Sequence, residues 1–471
     1  MTNLKKKSTL GIFAIAMINV AAVLSLRNLP TLAHYGYSLI VYLTLSSLCF
    51  FIPSALVSAE LASGWPKKGG VFLWVKEAFG PKWGFVAIFM QWVENLAWFP
   101  ANLAFMSSAI AYLIAPSLAS NKIFVLAVVW IGLWTATFLN FRGMKLSAFL
   151  SSSGVISGTI IPGIIIILLG IAYAFSGKSL AITFSAESLF PKFGNLNQLM
   201  LLAGMMMSIS GIEMSAVHIT EVKNPKKNFP KAIFLACVLI IFLTVAGSLS
   251  IAIIVPVQKL SFSAGVMQAF EELFKLHKME WATPIIAVLL AYGAFTMVVT
   301  WIAGPSKGVR ESAKEGGLPK FMQTNNKYGM PTGTLIVQAS ISTILSLAVL
   351  FMPSISDAFW IMIALSAQLY LIMYLFMFAA AIKLRYSQPN VLRSYTIPGG
   401  NIGIWIISGV AFLSSLFVII FGFIPTEEIR DKGIGAMTAY ILFLLVGVIL
   451  FVGIPIVLYN RKKNRVDYET K

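Results

Sequence analysis

The stretch MSISGIEMSAVHITEVKNP, residues 207–225, contains a glycine and a carboxylic acid inside an otherwise apolar segment. Gly211 lies near the centre of the apolar part, and Glu213 follows two residues later. Glycine lets a helix unwind, and unwound backbone at membrane depth is tolerated only where protein or a water-filled cavity satisfies it. An acid at membrane depth is costly and usually functional. The pattern predicts a helix broken at a substrate site, with close helix packing as the alternative role of Gly211.

A break at Gly211 would divide this span into two half-helices. The second half-helix would have its N-terminus near the membrane centre. The backbone N–H groups of such a half-helix point at anionic groups, and Glu213 would lie in its first turn. Ser210 is weaker evidence, since serine also satisfies membrane backbone. His218 lies about one and a half turns further on, on a different face. It either handles protons or packs between helices.

The composition of the whole chain indicates a membrane protein. Of the 471 residues, 58% are hydrophobic and 11% are charged, whereas soluble proteins carry about 25% charged residues. Apolar runs of roughly 20 residues, which is the length that crosses the bilayer core, recur along nearly the whole sequence. We therefore predict an all-α integral membrane protein that forms one transmembrane domain over residues 1–471.

The hydropathy pattern predicts twelve transmembrane helices. Their approximate ranges are 9–30, 37–62, 83–114, 123–141, 146–176, 198–221, 231–256, 283–307, 333–352, 357–382, 402–424 and 435–459. With both termini in the cytoplasm, most of the 35 lysines and arginines fall on the cytoplasmic side, as the positive-inside rule requires. The net charge of +18 has this explanation, so we expect no nucleic-acid partner.

Three segments do not read as spans. Residues 67–84 predict a short interfacial helix, and residues 262–278 predict an amphipathic helix on the outer face. Residues 306–319 predict a basic cytosolic connection after the eighth span.

The sequence contains no recognisable site for a cofactor or a metal. Cys49 and Cys237 both lie in apolar runs, and neither zinc spacing nor a P-loop occurs. A membrane enzyme using His218 and Glu213 as acid and base would lack a nucleophile motif and a cofactor loop. A channel would lack a filter-like loop. We expect neither an enzyme nor a cofactor.

Four further polar or aromatic positions at membrane depth are candidates for the transport pathway. Asn19 is the only strongly polar residue at the centre of the first span. Arg27 either extends to the outer interface or faces the pathway and binds an acidic substrate group. Glu94 either lines a cavity or accepts a coupling proton, with a structural hydrogen bond to a neighbouring helix as the alternative. Trp301 is either an interfacial aromatic, which we favour, or part of a cytosolic gate.

Several strings in the chain carry a resemblance to a known family. They are FFIPSALVSAELASGWPKKGGVFLWVKEAFGPKWGF (50–85), SGIEMSAVHITEVKNP (210–225), LSFSAGVMQAF (260–270), TWIAGPSKG (300–308) and YTIPGG (395–400). With them the chain resembles the amino acid–polyamine–organocation (APC) superfamily, and within it the bacterial glutamate/GABA antiporters. The resemblance covers nearly the whole chain.

The resemblance implies a LeuT-like fold with a 5+5 inverted repeat, over about 9–176 and 198–382, followed by extra helices over 402–459. Helices 1 and 6 would be broken, and the substrate α-carboxylate would lie against the breaks. By position, the substrate segments are Asn19, Val20, Ala21 and Ala22 in helix 1 and Ser210, Gly211, Ile212 and Glu213 in helix 6. The well-known glutamate/GABA member closes its inner mouth with a C-terminal plug. We expect no such plug here, because the chain ends at Lys471.

These observations predict a secondary active transporter in the bacterial inner membrane. It would exchange a glutamate-like amino acid for a related GABA-like amine or amino acid by alternating access. A proton-coupled amino acid symporter on the same scaffold is the alternative. The expected partners are small amino acids, protons as a candidate coupled ion, and the lipid bilayer. The sequence does not indicate an oligomeric state.

Overall fold

The computed structural model describes residues 11–66, 69–191, 196–214, 222–256, 260–261, 263–316, 318–352, 354–425 and 427–469. The α-helices in these ranges are α1 (Ile12–Val23), α2 (Leu29–Ala33), α3 (Gly36–Gly64, including a 3₁₀ turn and a π turn), α4 (Val71–Phe79), α5 (Pro81–Ile114), α6 (Lys122–Phe141), α7 (Met144–Val155, continued through a π turn by Ile161–Ala174), α8 (Ala186–Leu189), α9 (Leu196–Ser208), α10 (Pro225–Ala252), α11 (Gly265–His277), α12 (Thr283–Gly316), α13 (Thr332–Ser346), α14 (Ala348–Phe351), α15 (Ile355–Ser387), α16 (Gly400–Gly422), α17 (Glu427–Asp431) and α18 (Ile434–Glu469).

Ten helices within the described residues are long and apolar enough to cross a membrane. An eleventh span results if α1 and the segment Leu26–Ala33, which meet at an angle of 44°, count as one. A shorter apolar segment, Gln198–Met214, contains most of α9 and the turn after it, and the rest of the predicted sixth span, residues 215–221, lies outside the described residues. The protein is a multi-pass helical membrane protein, and the number twelve stays a prediction.

Helix α5 lies at the centre of the bundle. In its most apolar window 72% of the residues are buried, against 11% in the corresponding window of α18. The most extensive contacts of α5 are with α12 and α15. These three helices therefore form the interior against which the remaining spans pack, whereas α18 leaves most of its surface exposed.

Glycines set the closest helix contacts. A Cβ added to Gly158 of α7 would lie 2.3 Å from the Cα of Gly293 in α12, so the two backbones touch at this point. Small residues allow this approach, from which membrane helices gain van der Waals contact without a hydrophobic driving force.

The predicted connection over residues 306–319 is helical as far as Gly316, because α12 continues to that residue. The physical reason is packing against α5. A Cβ at Gly308 would meet the side chain of Ile88 at 2.5 Å, and one at Gly316 would meet the ring of Phe85 at 2.4 Å. The segment therefore gains a tightly packed face that a solvated loop would not have.

Two short helices occur where the sequence predicts them. Helix α4 is separated from α5 by Gly80, whose φ of +90° favours glycine. Lys76 of α4 forms an ion pair with Glu315 near the end of α12, with an N–O distance of 2.5 Å. Helix α11 buries an apolar face that includes Phe270 and Leu273. Its position relative to the membrane stays a prediction.

A buried carboxylate of α3 fixes the loop between α15 and α16. Glu60 accepts hydrogen bonds from Arg385 Nε at 2.8 Å and from the backbone N–H of Ile397 at 2.8 Å. Arg393 Nε lies 3.6 Å from the same carboxylate. Together, Glu60, Arg385, Arg393 and Ile397 form what we call the Glu60 clasp. The string YTIPGG, which contributes to the family resemblance, thus contains one of the backbone donors to Glu60.

Candidate functional site

The first helix ends in a stretch of extended backbone. The N–H of Leu24 donates the last helical bond to Val20 O at 2.9 Å, and Leu24 itself is extended, with ψ 114°. Ser25 is also extended, before a 3₁₀ turn over Leu26–Asn28. The backbone groups of this stretch are thus outside the regular helical pattern, as in the broken helices of transporters.

The second break follows α9. Helix α9 ends at Ser208, and Gly211 has a φ of +116°, a conformation that side chains rarely adopt. The N–H of Gly211 donates to the hydroxyl of Tyr374 at 2.9 Å. A tight turn over Ile212–Met214 follows, closed by the N–H of Met214 on the carbonyl of Gly211 at 3.2 Å.

The two breaks meet at Gly211. A Cβ there would lie 3.2 Å from the carbonyl oxygen of Ala22 and 3.2 Å from the ring of Trp301. The first break, the second break and helix α12 therefore converge on one point. Any side chain at position 211 would have to displace one of the three.

Glu213 is the centre of a buried hydrogen-bond cluster, which we call the Glu213 cluster. Its carboxylate accepts from the hydroxyls of Tyr370 and Tyr374, and from Gln91 Nε2 at 3.0 Å. The side chain is 1% exposed. Tyr370 and Tyr374 are one turn apart on α15, and Gln91 is on α5. Because Tyr374 also accepts the Gly211 N–H, the cluster holds the second break against α5 and α15.

A cavity of about 1030 Å³ lies beside the cluster. Its walls include residues from both breaks and from α5, α12, α15, α16 and α18. Of the predicted site residues, Ala22, Arg27, Glu94, Ser210 and Trp301 line it. This volume is large enough for a small amino acid with its hydration water.

Glu94 lies in the cavity wall and also makes the predicted hydrogen bond to a neighbouring helix. It is 4% exposed and lines the cavity, and it also accepts hydrogen bonds from Asn95 Nδ2 at 2.6 Å and from Ser366 Oγ at 2.9 Å. Ser366 is on α15, one turn before Tyr370. The hydrogen bond to a neighbouring helix thus fixes a carboxyl group in the cavity wall.

Arg27 lies in the cavity wall, in the 3₁₀ turn after the first break. It is 5% exposed, and its Nη2 donates to Asn28 Oδ1 at 3.4 Å. Of the two predicted orientations, the structure shows the one that faces the cavity. A buried cation in a cavity wall can bind a carboxylate.

The interfacial assignment of Trp301 was wrong. Trp301 is 6% exposed and lines the cavity, with its ring centroid 5.9 Å from that of Trp98 and 6.3 Å from that of Tyr370. The assignment rested on an eighth span ending near Trp301. Helix α12 continues for fifteen residues beyond Trp301, from Ile302 to Gly316. Trp301 therefore lies near the middle of this helix and not at its end.

The remaining predicted residues lie away from the cavity surface or outside the described residues. Asn19 is fully buried and donates from Nδ2 to Ile15 O of its own helix at 3.1 Å. Val20 and Ile212 are also buried, and Ala21 is half-buried. His218 lies in residues 215–221, outside the described part of the chain.

Sequence reasoning missed Gln91, Tyr370 and Tyr374. A signal for them exists, because Gln91, Glu94 and Trp98 recur at helical spacing, as do Ser366, Tyr370 and Tyr374. Gln91, Tyr370 and Tyr374 bind Glu213, and Ser366 in addition binds Glu94. Polar and aromatic side chains on one face of two apolar helices mark a shared polar site.

A multi-pass helical protein with a cavity between two helix breaks has the arrangement of a secondary transporter. The amino acid permease family matches residues 10–455. An uncharacterized transporter of Legionella pneumophila is 44% identical over 449 residues, covering 95% of this chain and 96% of the relative. The glutamate/gamma-aminobutyrate antiporter of Lactococcus lactis is 32% identical over 469 residues, with 98% and 92% coverage.

A more distant relative, described as a probable agmatine/putrescine antiporter of Lactococcus lactis, is 23% identical and covers 98% of this chain and 96% of the relative. The chain belongs to the amino acid permease family of the APC superfamily. The predicted resemblance to the glutamate/GABA antiporters is confirmed at the level of sequence similarity. This is a family of transporters, whose substrates are small molecules.

Proposed function

We propose that this protein is a secondary active antiporter that exchanges a glutamate-like amino acid for a GABA-like amine by alternating access. The observation that carries the proposal is the convergence of both helix breaks at Gly211 beside a cavity lined by Arg27 and Glu94. The similarity to glutamate/GABA antiporters supports the choice of substrates. Exchange follows if the substrate-free protein converts between its two open states more slowly than the loaded one.

The cavity wall offers complementary groups for a zwitterionic acid. The extended backbone at Ser25 and the turn that follows Gly211 would hold the α-carboxylate. Glu94 would face the ammonium group, and Arg27 would bind the side-chain carboxylate of the acid. Glu213 would act through its cluster, which holds the second break in shape.

The proposal includes the finer architecture that the resemblance implies. The two breaks suggest that α1 and the span beginning at α9 are equivalent members of a 5+5 inverted repeat. The repeats would occupy about 9–176 and 198–382 of one transmembrane domain. We also propose twelve spans, a location in the bacterial inner membrane and cytoplasmic termini, on the distribution of basic residues.

Counterflow in proteoliposomes tests the exchange. Vesicles loaded with GABA or left empty are offered labelled glutamate, with a protonophore present to remove any proton gradient. Antiport predicts uptake into the loaded vesicles only. In a second experiment the protonophore is omitted and an inward proton gradient is imposed on empty vesicles. Proton symport, which the buried carboxyl of Glu94 would serve, predicts uptake under this condition. Vesicles loaded with an unrelated amino acid are the control.

A further inference from the structure

A groove of about 360 Å³ lies where the corner between α4 and α5 meets α15 and α16. Phe79 and Trp83 form its wall at the corner, Ile372 and Phe376 line it from α15, and Phe412 lines it from α16. All of its lining side chains are apolar, and none of them is fully buried. Apolar surface that stays open on membrane-spanning helices is exposed to the acyl chains of the bilayer.

Helix α15 presents this groove on the face opposite to the Glu213 cluster. Tyr370 and Tyr374 belong to the cluster. Ile372 and Phe376 each follow one of these tyrosines by two residues, which is about 200° around the helix. The groove shares no lining residue with the 1030 Å³ cavity. It is therefore a site on the outside of α15 and not a part of the proposed substrate site.

Two lysines lie at the end of the groove where α5 begins and α15 ends. Lys383 Nζ lies 4.7 Å from the ring centre of Phe79, and Lys82 Nζ lies 5.5 Å from the ring centre of Trp83. Both rings belong to the groove wall. Ammonium groups are attracted to aromatic rings at these distances. The rings thus hold two positive charges at one end of an apolar groove.

The protein does not neutralise these two charges with carboxylates. Within the described residues, no acidic side chain lies at ion-pair distance from Lys82 or Lys383. Glu77, the acidic residue of α4, accepts from Gln388 Nε2 at 3.4 Å instead. The Glu60 clasp binds its own arginines. The end of the groove therefore offers positive charge to an anion from outside the protein.

The length of the groove matches one leaflet of a membrane. Lys383 lies three turns of α15 from Ile372, about 16 Å along the helix axis. Half of the hydrocarbon core of a bilayer is about 15 Å thick. A molecule with an anionic group at the lysines and an apolar chain along α15 would therefore occupy both parts of the groove.

We propose that this groove binds an anionic phospholipid. One acyl chain lies along Ile372 and Phe376, and the phosphate lies between Lys82 and Lys383. Basic pockets between membrane helices recognise lipid head groups in this way. A zwitterionic phospholipid fills the apolar part equally well, but the positive group of its head opposes the two lysines. The inference is independent of the proposed exchange and its substrates.

Native mass spectrometry tests the head-group preference. The purified protein is mixed with equal amounts of phosphatidylglycerol and phosphatidylethanolamine that carry the same acyl chains, and the bound lipids are counted. We expect the wild type to retain more phosphatidylglycerol. Lys82→Gln and Lys383→Gln should each lower the ratio of the two bound lipids by about fivefold.

Two matched pairs of variants separate charge from shape. Lys327→Gln is the charge control, because Lys327 Nζ also lies against a ring, 5.1 Å from the centre of Tyr328, but neither residue lines the groove. It should leave the ratio unchanged. Ala379→Leu narrows the groove and should reduce the retention of both lipids. Ala127→Leu, at an exposed alanine of α6, should change neither.

The same measurement decides against the proposal in three ways. Equal retention of the two lipids by the wild type would show ordinary lipid contact only. An unchanged ratio in the double variant Lys82→Gln/Lys383→Gln would remove the lysines from the site. Displacement of bound phosphatidylglycerol by an equal concentration of glycerol 3-phosphate would assign the lysines to a free phosphate. A protein that fails in counterflow but keeps the lipid preference would overturn the exchange and leave the lipid site standing.

Discussion

Glu213 joins three helical elements through one carboxylate. Its oxygens accept from two tyrosines of α15 and from Gln91 of α5, and Tyr374 extends the cluster to the N–H of Gly211. Because the carboxylate is buried and fully engaged, its main effect is on the shape of the second break. Loss of one hydroxyl should therefore affect both the fold of the break and transport.

Tyr374→Phe tests this role. The substitution leaves the Gly211 N–H and one carboxylate oxygen without their partner, which should lower stability by about 1–3 kcal/mol. We expect a lower Tm and a large loss of exchange. Tyr292→Phe is the control, because Tyr292 hydrogen-bonds to Ser153 at 2.7 Å and is not among the described residues that line the cavity. An equal loss of exchange in both variants would assign Tyr374 to general stability.

Arg27→Ala tests whether Arg27 recognises the negative charge of the substrate. Removing a buried guanidinium that binds a carboxylate should cost about 2 kcal/mol or more of substrate binding, a change above tenfold. We expect the half-inhibitory concentration of glutamate to rise by this factor and that of GABA to rise much less. Arg27→Lys should retain part of the preference, since it keeps the charge but loses the fork geometry. An equal loss for both ligands would make Arg27 structural.

At the scale of elements, the sequence predicted the second break but not its surroundings. Gly211 and Glu213 are visible because both are anomalous inside an apolar span. Their partners Gln91 and Tyr370 come from helices more than a hundred residues away, and local periodicity shows only that they face something polar. The first break was predictable only from the resemblance, because its extended stretch, Leu24 and Ser25, contains no glycine that would mark it in the sequence.

Gly211→Leu tests the second break. Its φ of +116° and the contacts to Ala22 and Trp301 leave no room for a side chain, so the variant must distort the meeting point of the breaks. We expect exchange to be abolished and membrane insertion to be retained. Gly409→Leu is the matched control, because a Cβ at that helical glycine meets nothing within 4 Å. Normal exchange by Gly211→Leu would contradict the account of the break.

Glu60→Ala tests the clasp that fixes the loop between α15 and α16. Breaking a buried ion pair by removing one partner typically costs about 3–5 kcal/mol, since the remaining charge is left buried. Glu60 is 3% exposed and Arg385 is 11% exposed, so we expect a marked fall in Tm. Glu311→Ala, which removes a more exposed ion pair with Arg310, should change stability by less than about 1 kcal/mol. Equal falls in Tm for Glu60→Ala and Glu311→Ala would show that the Glu60 clasp contributes little to the free energy of unfolding.

At the scale of the whole molecule, α5, α12 and α15 form a buried interior and the two breaks lie against it. The class of membrane protein followed from composition, because 11% charged residues cannot cover a soluble surface of this size. The end of the helix that contains the eighth span did not follow from the sequence. The packing of Gly308 and Gly316 against α5 is a tertiary effect that hydropathy cannot show. An exchanger with this organisation needs its loaded state to convert between two openings and its empty state to stay in one.

The central claim is obligatory exchange, and a double-label experiment tests it most directly. Proteoliposomes loaded with GABA carrying one isotope are placed in glutamate carrying another, and both fluxes are followed with the proton gradient abolished. The account predicts that glutamate enters and GABA leaves in equal molar amounts, and that neither moves when the other is absent. Glutamate entry without GABA release, or entry that requires a proton gradient, would contradict it.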